Sequence, residues 1–185
     1  MNITRTAITR SLLVAALAGA VPVATATTSA QAAPYCGITW GSLAKTKAPL
    51  QAGPVTGVRS GRHACFDRLV IDLKGTAPGY TVRYVSQVTA DGSGAVIPTR
   101  GGAKLQLTVN APAYTPTGSA TFTPRNRSEV VNVAGYSTFR QVVWAGTFEG
   151  YTSVGVGVRA RLPFRVFTLN DGATSRVVID VAHRW

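Results

Sequence analysis

Asp67-Arg68-Leu69-Val70-Ile71-Asp72-Leu73 and Ser175-Arg176-Val177-Val178-Ile179-Asp180-Val181 stand far apart in the chain and read almost alike. Each alternates with a period of two. As a strand, each therefore sets three aliphatics on one face: Leu69, Ile71 and Leu73 in the first, Val177, Ile179 and Val181 in the second. The other face carries Arg, Val and Asp in the same order both times. If the two are antiparallel neighbours centred on Val70 and Val178, Arg68 faces Asp180 and Asp72 faces Arg176. Two cross-strand ion pairs then fix the register. If they lie in different sheets, each charge is simply solvated.

The text between them is strand throughout. Tyr80 to Val85 alternates after a Pro78-Gly79 turn, and Lys104 to Val109 is a clean amphipathic strand stopped by Asn110 and Pro112. Val130 to Val133, Phe139 to Phe148, Val154 to Arg161 and Phe164 to Leu169 read as further strands, and Asn170-Asp171-Gly172 turns into the last. Many short strands with Gly and Pro between them predict an all-β fold, a two-sheet sandwich or a barrel. Residues 112–128, with Pro112, Pro116 and Pro124, read as a long surface connection or a sheet edge.

Residues 1–32 have the pattern of a Sec signal peptide. Arg5 and Arg10 precede the apolar run Ser11 to Ala20, and Ala30-Gln31-Ala32 is a small-x-small cleavage site. That run is too short and interrupted to span a bilayer, and nothing later is long enough. Cys36 does not follow a lipobox, so no lipid anchor is expected. A mature chain of about 150 residues suits one domain with a good-sized core.

Export and an even count of two cysteines predict a Cys36–Cys65 disulfide. It would close about 30 residues, on the order of 3–4 kcal/mol of stabilisation in the chain-entropy picture. Residues 33–60, with Pro49, Gly53, Pro54 and Gly57, read as an irregular N-terminal arm pinned by that bond to the domain at 61–185.

The formal net charge is +12, carried by 15 Arg and only 4 Lys. Guanidinium forks grip carboxylate and phosphate in two-point fashion. For an exported protein the anions within reach are wall polymers, stem-peptide carboxylates and lipid headgroups. The plainer alternative is a basic protein kept soluble by its charge.

The segment Phe139 to Phe167 is the richest in binding chemistry. As a strand, Val154, Val156 and Val158 face one way, with Gly155, Gly157, Arg159 and Arg161 on the other. A face bare of side chains lets a ligand or another backbone approach closely. Arg140 and Trp144 share a face of the preceding strand by spacing, and Glu149 and Tyr151 fall in the joining loop. The functional reading is a shallow seat of Arg140, Trp144, Tyr151, Gly155, Gly157, Arg159 and Arg161. The packing alternative lays Trp144 or Tyr151 over the glycines.

Catalytic patterns are sparse. There are two histidines, His63 and His183, no HExxH and no Cys/His cluster, so no metal and no cofactor are expected. His63, His183 and Asp67 could meet only if the end strands are neighbours. Asp67 and Asp72 face opposite ways on one strand, and no Gly-x-Ser-x-Gly elbow is present. A non-enzymatic protein is the expectation. Export leaves nucleic acid without a role as partner.

The repeated Arg-x-Val-Ile-Asp strand resembles that of the AMIN domain, the β-sandwich module found beside cell-wall amidases and secretin-type envelope proteins. The wider text resembles the actinobacterial AMIN-like proteins, which are small and exported. The likeness rests on Gly61-Arg62-His63, Phe66 to Val70, Pro78-Gly79-Tyr80 with Val82-Arg83-Tyr84, the 139–167 segment and the final Val181-Ala182-His183-Arg184-Trp185. It implies a two-sheet sandwich over residues 61–185 and a role in binding peptidoglycan or an anionic wall polymer of the cell envelope. The rival expectation is a protein partner that adds a strand at an open sheet edge near residues 112–128.

Overall fold

The two matched heptads lie side by side in the computed structural model, which describes residues 34–48, 50 and 52–185. The expected signal peptide, residues 1–32, falls outside those residues. β3 (Phe66–Lys74) and β11 (Thr174–Ala182) pair antiparallel with Val70 opposite Val178, Arg68 opposite Asp180 and Asp72 opposite Arg176. β10 (Phe164–Asn170) flanks β11 and β2 (Val55–Arg62) flanks β3, giving a four-stranded sheet in the order β10-β11-β3-β2.

The second sheet is built from β1 (Lys45–Lys47), β4 (Tyr80–Val85), β7 (Ala103–Val109), β8 (Phe139–Phe148) and β9 (Tyr151–Val158) in the order β1-β4-β7-β9-β8, again antiparallel. A two-stranded ribbon, β5 (Val88–Thr89) and β6 (Val96–Ile97), forms a separate small sheet. The described residues contain no helix, and so none long and apolar enough to cross a membrane. Leu69, Ile71 and Leu73 with Val177, Ile179 and Val181 meet Leu105, Leu107, Val109, Val154, Val156 and Val158 in one core. The chain is an all-β sandwich, its apolar faces sealed against each other.

The Cys36–Cys65 disulfide pins the N-terminal segment where β3 begins. That segment is less irregular than residues 33–60 looked. β2 begins at Val55 and pairs along β3, with a bulge between Val55 and Gly57. Its text, VTGVRSGR, lacks an apolar alternation because only one flank of the strand needs side chains in the core. Val130 to Val133 is not a strand. Val130 donates one main-chain bond to Val142, and an Asn132 turn and the positive φ of Gly135 bend the chain away. β9 ends at Val158, before Arg159 and Arg161, because Leu162 bonds back to Ala160 and the chain turns at Pro163.

The β8–β9 connection is a two-residue turn, Glu149-Gly150, with φ of 47° and 83°. Such a turn needs left-handed residues at both centres. It places Tyr151 in the strand, opposite Phe148, rather than in the loop.

Candidate functional site

The seven residues of the expected seat do not come together. Gly157 is covered by the chain itself: a Cβ there would stand 1.7 Å from the Arg100 carbonyl oxygen. One at Gly155 would stand 2.6 Å from Val88 and 2.7 Å from Val143. The bare strip of β9 is thus the bed on which the β5–β6 ribbon and the 99–102 crossing lie. Neither Trp144 nor Tyr151 lies on it, and the strip has no open face left to offer a ligand. Gln141, opposite Gly157, fastens that crossing by accepting from the Arg100 N–H at 2.6 Å and donating to the Ser128 carbonyl at 2.8 Å.

Arg140 and Trp144 do not share a face. The register slips by one between Phe139 and Gln141, leaving Arg140 as the extra residue of a bulge. Its guanidinium donates to the carbonyls of Tyr136, Ser137 and Phe139. Trp144 turns inward, is 6% exposed and meets Phe122 edge-on at 5.4 Å. Tyr151 opens β9 and Arg159 follows its last residue, about 26 Å away along the chain at the usual strand rise.

Arg159 and Arg161 do belong to one surface, with partners from the C-terminus. Arg159 donates to the His183 carbonyl, and the Trp185 indole donates to the Arg161 carbonyl at 3.2 Å. The Arg161 guanidinium lies 4.7 Å from the Tyr84 ring centroid, and that of Arg184 lies 4.6 Å from Tyr35. Trp185 is 68% exposed. Among the described residues no carboxylate lies within ion-pair distance of these three arginines. A groove of about 440 Å³ lined by Tyr84, Ser86, Gly102 and Arg161 opens beside them. Burial pushes the Tyr84 phenol up to about 12, so at neutral pH it remains a donor to the Leu162 carbonyl at 2.6 Å. Sequence reasoning found Arg159 and Arg161 but not Arg184, Trp185 or Tyr84. The signal was the terminal Arg-Trp pair, which has no place in a strand face.

The arginines of the duplicated strands are otherwise engaged. Arg68 holds Asp180 through two bonds of 2.6 and 2.9 Å, and Arg165 of β10 reaches the same carboxylate at 2.8 Å. Arg59 of β2 holds Asp72 at 2.7 and 3.0 Å, with Arg176 at 3.6 Å. These charges are satisfied within the fold.

The sheet edge near residues 112–128 is covered, not open. Trp144 of edge strand β8 donates its N–H to the Arg127 carbonyl, Val130 donates to Val142 of the same strand, and Val55 of β2 donates to Pro112. His183 Nε2 lies 3.2 Å from Asp67 Oδ1, while Asp67 Oδ2 accepts the N–H groups of Thr138 and Phe139. His63 instead stacks on Phe66 at 4.5 Å. Among the described residues no group of three or more His, Cys, Asp or Glu could hold a metal ion. Asp67 here ties the 138–139 corner to β3 and the C-terminus.

No curated protein and no solved structure matches the chain. The model of one family does, over residues 53–183, a stretch that starts just before β2 and takes in both duplicated strands and the hairpin between β8 and β9. By that match, the chain belongs to the AMIN-like domain family.

Proposed function

We propose that the chain is an exported, non-enzymatic module of the cell envelope that binds the wall through its Arg159, Arg161 and Arg184 end. The arginines would grip stem-peptide carboxylates or the phosphates of an anionic polymer. The observation that carries this reading is the state of those side chains. Each guanidinium is braced by a carbonyl or an aromatic ring, and none is neutralised by an acid among the described residues. A braced fork loses little freedom on meeting an oxyanion, and its remaining N–H groups are available for two-point bonds. The exposed Trp185 and the Tyr84 groove add apolar surface beside the charge. Family membership and the disulfide support an extracytoplasmic setting.

The test is co-sedimentation of the mature chain with purified peptidoglycan, before and after removal of its anionic polymers, at low and high salt. Replacing Arg159, Arg161 and Arg184 together by Ala is expected to reduce retention about tenfold or more, since each lost charge-assisted bond is worth about 1.5–3 kcal/mol. The melting temperature should stay within about 6 °C, because surface changes of this kind cost about 0.5 kcal/mol each. Retention equal to wild type would remove this end from the contact. Loss on stripping would identify the anionic polymer, and persistence would identify peptidoglycan itself. Release of soluble wall fragments during the incubation would overturn the non-enzymatic reading.

A further inference from the structure

A second cavity, of about 500 Å³, opens between the Asp91 turn, the 113–124 segment and the outer half of β8. Its volume lies within the range of small-ligand sites. Asp91, Trp144, Phe122, Tyr114 and Arg127 are the lining residues with chemistry to offer. It shares no lining residue with the Tyr84 groove.

Asp91 is held in place by its backbone, its N–H donating to the Ala145 carbonyl at 2.9 Å and its carbonyl accepting from Ser93 at 3.0 Å. Its carboxylate is only partly served. Ser153 donates to it, which draws the pKa down, but burial outweighs this and pushes the pKa up, and Oδ2 is sealed from solvent with no hydrogen-bond partner. A buried carboxylate oxygen without a donor is costly, and it gains most from a charged one. The walls suit a cation as well: Trp144 and Phe122 meet edge-on, and Tyr114 is anchored through its hydroxyl, which accepts from the Gly150 N–H at 3.1 Å. Aromatic faces attract ammonium groups. Opposite in charge is Arg127, exposed, with its main chain tied to Trp144 and no carboxylate within ion-pair distance among the described residues.

A carboxylate, a set of rings and a guanidinium around one cavity complement a ligand with charges of both signs. We infer that this cavity binds a small amino-acid-like zwitterion, its ammonium on Asp91 and its carboxylate on Arg127. This inference does not rest on the wall-binding surface.

The experiment follows the Trp144 indole N–H resonance of the mature chain during titration with glycine, 4-aminobutanoate and 6-aminohexanoate, with butylamine as the control lacking a carboxylate. At least one zwitterion should shift it with saturation by about 20 mM, and the best chain length measures the separation of the two charges. Asp91→Asn should weaken binding about tenfold or more, the loss of one charge-assisted bond. Arg127→Ala should weaken the zwitterions and leave butylamine unchanged.

A stability measurement checks that the Asp91 variant folds. A carboxyl whose pKa is raised on folding is destabilising once pH rises from the unfolded value through the folded one. Arg127 and the Tyr114 phenol are the other ionisable groups lining the cavity. Unliganded Asp91→Asn should therefore melt at a higher temperature than wild type at pH 7. The inference is overturned if no probe gives a saturable shift, if Asp91→Asn binds like wild type, or if Arg127→Ala affects butylamine and zwitterions equally.

Discussion

Gly157→Ala is expected to destabilise the protein by about 3 kcal/mol or more, lowering the melting temperature by roughly 6–12 °C. The added methyl would fall 1.7 Å from the Arg100 carbonyl oxygen and 3.1 Å from Thr99. The nearest obstacle is backbone, and it cannot rotate away. The crossing that carries it is itself built for contact: a Cβ at Gly102 would lie 2.4 Å from the Arg159 carbonyl oxygen, and one at Gly101 lies 2.6 Å from that of Val158. Displacing it also strips Gln141 of its bond to the Arg100 N–H. The sign of the effect carries the argument. On an uncovered strand face, alanine would stabilise by about 0.5–1 kcal/mol, because glycine is a poor strand residue. Gly155→Ala provides the graded comparison. Its methyl meets the side chains of Val88 and Val143, which can shift, so about 1–3 kcal/mol is expected. Urea unfolding of both variants measures the difference, and a stabilised Gly157→Ala would reopen the strip to a ligand.

The sandwich was legible because period-two alternation is a direct consequence of burying one face of a strand. Leu69, Ile71, Leu73 and their copies at Val177, Ile179 and Val181 state their own orientation. β2 was not legible for the complementary reason, since VTGVRSGR holds its place through main-chain bonds to β3 and puts little into the core. The bulge at Arg140 is equally silent. One extra residue reverses which neighbours share a face, and nothing in Phe-Arg-Gln-Val-Val-Trp announces it. The glycines of β9 did announce a close approach, but not what approaches. That depended on the 99–102 crossing, more than fifty residues earlier in the chain. For the basic end, Arg159 and Arg161 could be read from the sequence, whereas Tyr84 joins them from β4, and Arg184 with Tyr35 only through contacts between segments far apart in the chain.

The second large effect is expected at Asp180, and it separates two positions that the sequence writes identically. Each aspartate of the repeated motif takes an arginine from both neighbouring strands: Asp72 from β2 and β11, Asp180 from β10 and β3. Exposure differs. The Asp180 side chain is 0% exposed and that of Asp72 is 28% exposed. Trp40, Phe66 and Phe167 pack against the arginines of the Asp180 rung. Arg165 lies 5.6, 5.4 and 5.1 Å from their ring centroids, and Arg68 lies 5.1 and 5.5 Å from those of Phe66 and Phe167. Removing one member of a buried ion pair leaves uncompensated charge behind, so Asp180→Ala should cost about 3–5 kcal/mol. Asp72→Ala, in a solvated rung, should cost about 0–1 kcal/mol.

Trp40 belongs to the segment that the Cys36–Cys65 bond holds, and its indole is fixed by donating to the Tyr35 carbonyl at 2.8 Å. The burial of Asp180 is therefore expected to depend on that bond. In the Cys36→Ser, Cys65→Ser background the arm is released, water reaches the Arg68–Asp180–Arg165 rung, and the cost of Asp180→Ala should fall toward that of Asp72→Ala. A double-mutant cycle by urea unfolding reads this as a coupling of about 2 kcal/mol between sites that share no direct bond. Strict additivity would mean that β10 and β3 bury the aspartate unaided. Coupling would mean that the disulfide-held arm turns one copy of a duplicated surface rung into an interior one.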